Sequence, residues 1–206
     1  MNDTSPGVRV GTGFDPSTRD VATAALIVAG AALLAVRPAL LPGSGLSGNE
    51  RSGLLALVYV SLTAASLLPA LARDDPALPR GRQAIPAAVV LLSGVGAVAV
   101  AWWTAGPSAP LPMAPMSIAL STVAAVAEEA LFRRLAYGHL RRLGVGVAIG
   151  VSAVLFAGVH VPAYGAAALP VDLGAGLLFG WQRWAAGTWT VPAATHAAAN
   201  LLAVIP

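Results

Sequence analysis

The chain has 206 residues, of which 57% are hydrophobic and 10% charged, with a mean hydropathy of +0.75. Soluble domains carry about 25% charged residues, so this composition excludes a water-facing globule and points to a polytopic membrane protein. All twelve cations are Arg, spread along the chain without a dense basic tract, which argues against nucleic acid as a partner in spite of a pI near 10.2.

Residues 1–20 are polar and rich in Gly and Pro, without the apolar stretch of a signal peptide, and are expected to form a short disordered tail. Seven apolar segments follow, to be compared with the roughly 20 residues a helix needs to cross about 30 Å of hydrocarbon. They are Val21–Leu41, interrupted by Arg37 and Pro38, then Gly53–Ala72, Ala84–Ala105, Met116–Tyr137, Val145–His160, Ala166–Trp181 and Thr188–Ile205. The last three are short or contain Gly and Pro. The expected fold is all-α: a transmembrane bundle of about seven helices (six to eight), forming one domain over residues 21–206. No Cys is present, so neither a disulfide framework nor a thiolate metal site can form.

Arg placement orients the bundle. With the N-terminus in the cytoplasm, Arg9, Arg19, Arg73, Arg80, Arg82, Arg134, Arg141, Arg142 and Arg183 fall on the cytoplasmic side, and Arg37 and Arg51 on the other. That asymmetry favours a cytoplasmic N-terminus.

The chain has three Glu, and two of them, Glu128 and Glu129, are adjacent within the fourth apolar segment. A charge at the bilayer centre costs about 2.5–3.5 kcal/mol, and such residues face a bundle interior or a water-filled cavity. Glu129 and Arg133 are spaced i,i+4 and can pair on one helix face. Glu128 points elsewhere and has no partner in its own helix. His160 ends the fifth segment, and His196 and Asn200 lie one turn apart in the seventh. A lone intramembrane His or Asn is more often an interhelical hydrogen bond than a catalyst, and Asp172, just after Pro170, reads as a helix-start cap. Three apolar helices that each bring polar groups inward can nevertheless build one cluster of a carboxylate, two imidazoles and an amide. A transporter would place polar breaks in both halves of the chain; here they all fall in the C-terminal half. An inert membrane scaffold that keeps these groups only for packing is the other non-enzymatic reading.

Three spaced motifs carry a resemblance. EEALFR spans Glu128 to Arg133, FAGVH spans Phe156 to His160, and HAAAN spans His196 to Asn200. In this order, on successive apolar segments, they resemble the CPBP family of intramembrane proteases, also called the CAAX protease and bacteriocin-processing, or Abi, family. The resemblance lies in residues 116–206 and implies an active site among the C-terminal helices. It implies an endopeptidase in which Glu128 is the base that activates water, His160 positions that water, and His196 and Asn200 donate to the oxyanion. Glu129 and Arg133 would fix the helix geometry, and Phe156 would pack beside the site. No cofactor is favoured. The alternative is a zinc enzyme with Glu128, His160 and His196 as ligands and an open position for water. The implied partners are the lipid bilayer and a membrane-associated protein or peptide, reached from the cytoplasmic leaflet. The expected location is the plasma membrane of a bacterium, where maturation of bacteriocins is a common association of the family.

Overall fold

The computed structural model describes residues 16–40, 45–71, 85–105 and 115–203. These residues are helical almost throughout, with no strand among them: α1 (Pro16–Leu40), α2 (Gly48–Leu67), α3 (Ala87–Ala105), α4 (Pro115–Glu129), α5 (Tyr137–Leu140), α6 (Val145–Tyr164), α7 (Leu169–Ala186) and α8 (Thr190–Leu202). A π-helical stretch, Ala130–Ala136, joins α4 to α5 without a break. The eight helices therefore make seven rods, one for each apolar segment of the sequence.

Local chemistry sets the ends. Ser47 and Glu50 form a reciprocal capping box at the start of α2: Ser47 Oγ accepts from the Glu50 amide at 3.3 Å, and Glu50 Oε2 accepts from the Ser47 amide at 2.8 Å. Gly144, at φ 115°, separates the fourth rod from α6, and Gly187, at φ 71°, closes α7 in the left-handed conformation. Helix α1 starts at Pro16, so residues 16–20 of the expected tail are helical; residues 1–15 lie outside the described residues. Arg37 and Pro38 do not end α1 but lie inside its final turns.

The fourth rod is the axis of the bundle. Ala127, Leu131, Phe132, Leu135 and Ala136 from this rod are packed by Ile27 and Leu34 of α1, Tyr59 and Leu62 of α2, Phe156 and Val159 of α6, and Phe179 of α7. Large apolar side chains such as Val21, Leu92, Val154 and Val171 point outward instead, as lipid contact requires. Thr18–Pro38, Ala87–Thr104 and Val145–Tyr164 are each long and apolar enough to cross a membrane by length and composition. Helices α6 and α7 meet through small residues: a Cβ on Gly176 would stand 2.9 Å from the Ala153 Cα.

Ion pairs and hydrogen bonds define two ends. At one, Arg142 Nη1 pairs with Asp20 Oδ2 at 3.1 Å, and Arg134 donates to the carbonyls of Ser66 and Leu67, the orphan acceptors at the end of α2. At the opposite end lie the last turns of α1, α6 and α8 and the first turns of α2 and α4.

Candidate active site at one end of the bundle

Glu128 and Glu129 close α4, just where the helix widens into its π stretch. Because the fourth rod is surrounded, both are buried, at 2% and 0% exposure. Burial of two carboxylates demands partners, and the two find different ones.

Glu129 is gripped twice. Its Oε2 pairs with Arg133 Nε at 3.2 Å, so the i,i+4 spacing survives the π geometry. Its Oε1 accepts from His196 Nδ1 at 3.1 Å. Arg133 is wholly buried, donates from Nη2 to the Gly176 carbonyl at 3.0 Å, and lies 4.7 Å from the ring centroid of Phe156. The pair expected to serve helix geometry alone is thus also the orienter of a histidine. With Nδ1 committed to a carboxylate, His196 has Nε2 available to the cavity it lines.

Glu128 has the partner that its own helix cannot supply. Arg37 Nη1, from α1, donates to Glu128 Oε1 at 2.7 Å. The sequence left Glu128 without a partner in its own helix, and the structure supplies one from another: α1 packs against the central rod and brings the guanidinium to the buried carboxylate. On its other side, Glu128 Oε2 stands 3.5 Å from His160 Nε2. His160 Nδ1 lies 2.7 Å from the Phe156 carbonyl. A carbonyl only accepts, so Nδ1 is the donor in that contact and Nε2 is the nitrogen turned toward Glu128. Glu128 Oε2 and His160 Nε2 thus face one another on the wall of one cavity, where both can contact a single water.

Phe156 packs at the centre of these groups, with its ring 4.6 Å from His160 and 5.5 Å from His196, centroid to centroid. Phe179 stacks on His196 at 5.0 Å. Asn200 donates from Nδ2 to the Ser121 carbonyl at 3.0 Å, which engages one of its two amide hydrogens. Glu128, His160, His196 and Asn200 all line one cavity of about 350 Å³, bordered also by Arg37 and Tyr59.

Four residues fall in places the sequence did not indicate. Arg37 is at the site. Arg183, expected as a loop cation, is buried and donates from Nε to the Arg133 carbonyl at 3.1 Å, inside the π stretch. Tyr59 presents its ring to Arg37, 5.6 Å from the guanidinium carbon. Asp172 is not the N-cap of α7, which starts at Leu169, but lies in its first turn, and one buried carboxylate oxygen of Asp172 has no hydrogen-bond partner among the described residues. Nor does the cavity lie toward the arginine-rich end. Its lining residues come from the late turns of α1, α6 and α8 and the early turns of α2 and α4, at the end opposite Asp20 and Arg142. The zinc alternative fits poorly. Among the described residues no three His, Asp or Glu converge closely enough to hold a metal ion, and Glu128 is already tied to Arg37.

Residues 110–202 match a protein-family model described as Type II CAAX prenyl endopeptidase Rce1-like. No curated protein and no solved structure matches the chain. The matched stretch contains all three motifs and excludes Arg37 and Tyr59.

Proposed function

We propose that this chain is an intramembrane endopeptidase of the Rce1-like CAAX type, the family whose model matches residues 110–202, and that Glu128 is the base of a glutamate-activated water mechanism. The observation that carries this reading is the juxtaposition of Glu128 Oε2 and His160 Nε2, 3.5 Å apart on the wall of the cavity. A water held between them would donate to the carboxylate and be positioned by the imidazole for attack on the substrate. Glu128 takes one water proton as the oxygen attacks the scissile carbonyl, and returns it to the leaving amine. The second amide hydrogen of Asn200 donates to the oxyanion, as does His196 Nε2 when the ring enters the cycle as imidazolium with its extra proton from solvent. The reacting proton passes from water to Glu128 and on to the leaving amine, and this route requires no metal.

The substrate in this reading is a membrane-associated protein or peptide, and the unit that acts on it is the single helical domain, residues 21–206. The distribution of Arg supports a cytoplasmic N-terminus, since Arg19, Arg134, Arg141, Arg142 and Arg183 belong to the end of the bundle that carries the start of α1. The cavity then opens toward the opposite, extracytoplasmic side, and substrates reach it from there rather than from the cytoplasmic leaflet.

The reading is tested by comparing the termini of membrane peptides from cells carrying the wild type and Glu128→Ala. A set of termini absent only from the variant is the expected result. Identical sets at equal protein abundance would refute proteolysis by this site.

A further inference from the structure

Arg37 lies outside the matched stretch, yet it makes a short polar contact at the site, 2.7 Å to Glu128 Oε1. Its side chain is 14% exposed, and it is the only Lys or Arg among the described residues lining the cavity. The pair poses a chemical problem. A carboxylate bound to a guanidinium is a poor base, because accepting a proton would strand a permanent positive charge in a buried setting. Glu128 can take a proton from water only if Arg37 finds another anion. Among the described acids, Asp20 pairs with Arg142, Glu129 is held by Arg133 and His196, Glu50 caps α2, and Arg37 has an ion pair with Glu128 alone. A carboxylate on the substrate can be the replacement. Guanidinium groups bind carboxylates through two parallel hydrogen bonds, so an incoming carboxylate can match what Glu128 offers.

We propose that Arg37 is the specificity residue of the site: it exchanges Glu128 for a carboxylate on the substrate, so that only a peptide with an anion close to the scissile bond releases the base. The proposal rests on the protease reading above. The anion is a C-terminal carboxylate or an Asp or Glu side chain, and the cavity of about 350 Å³, at the small end of ligand pockets, requires it to lie within a few residues of the cleaved bond.

The test uses the full chain in lipid nanodiscs and three matched sets of internally quenched apolar peptides: C-terminal acids, C-terminal amides without acidic residues, and amides with one Asp at varied positions. Wild type is expected to cleave at least one anionic set about tenfold or more faster than the neutral amides, and whichever set wins identifies the source of the anion. In Arg37→Gln the ratio falls to within about twofold, and cleavage of the neutral amides rises because the base is no longer tied. Equal cleavage of all sets by wild type, or a ratio that survives Arg37→Gln, overturns the proposal. A binding measurement covers the case in which that variant fails to fold. Glu128→Gln removes the competitor for Arg37, so a fluorescent anionic peptide binds this variant about fivefold more tightly than wild type, while its neutral counterpart does not change. Unchanged binding of the anionic peptide also overturns the exchange. If wild type cleaves nothing yet Glu128→Gln gains affinity for anions, the protease reading fails and the exchange at Arg37 stands.

Discussion

Glu128 and Glu129 are neighbours in sequence and opposites in setting, because one step along a helix turns a side chain by about 100°. Glu129 turns toward Arg133 and His196, and its loss is felt at a distance from the substrate. Glu129→Gln keeps the shape but replaces the carboxylate that accepts from His196 Nδ1 and orients the ring. Peptide hydrolysis is expected to slow by about 10²-fold or more, with KM nearly unchanged; a loss confined to KM would assign Glu129 to binding instead. Arg133→Ala strands the wholly buried Glu129. Breaking a buried pair in this way costs about 3–5 kcal/mol, so the unfolding temperature in detergent should drop sharply, and an unchanged midpoint would contradict the role given to the pair. The Glu129–Arg133 contact was legible in the sequence because its spacing is local. The Arg37–Glu128 contact was not, since its partners are 91 positions apart and only the packing of α1 on the central rod brings them together. Asp172 was misread for a related reason: a carboxylate beside Pro170 looks like a cap until the helix is seen to start at Leu169.

The seven rods follow from the seven apolar segments, since backbone polar groups in hydrocarbon must be satisfied within each helix. The π stretch Ala130–Ala136 had no such signal. Seven residues with one wide turn leave the apolar pattern of ALFRRLA almost as it would be in an α-helix, and the device that accompanies it, Arg183 on the Arg133 carbonyl, comes from α7. π turns are frequent at functional sites, and this one sits directly after the two glutamates. The contact of α6 with α7 governs how this region is held, because the carbonyl of Gly176 receives Arg133 while its Cα faces Ala153. Gly176→Ala would push a methyl against the Ala153 backbone, and overpacking of this kind costs about 1–3 kcal/mol. Gly158→Ala, with nothing within 4 Å of the added carbon, is the control and should leave the unfolding temperature unchanged or raised. Equal effects of the two would show that the α6–α7 approach is not tight.

At the scale of the molecule, the bundle has a basic end and an end that holds the cavity. The chain lacks Cys, so single cysteines report orientation directly. Ala166→Cys, beside the end of α6, should react with an impermeant maleimide in intact cells, and Leu143→Cys, at the basic end, only after lysis; the reverse pattern would place the cavity on the cytoplasmic side. Sequence patterns read the basic end well, because charges there lie in short connections, but not the mouth of the cavity, whose lining comes from five separate helices. Exhaustive chelation should leave hydrolysis intact, whereas loss restored by added zinc would favour metal chemistry at the same residues. The most direct test of the account is the hydrolysis rate of purified Glu128→Gln on a cleaved peptide, measured beside its unfolding temperature. The account requires a fall of about 10³-fold or more in a variant that still unfolds cooperatively near the wild-type midpoint. A folded Glu128→Gln protein that cleaves within about tenfold of the wild-type rate would mean that another group activates the water.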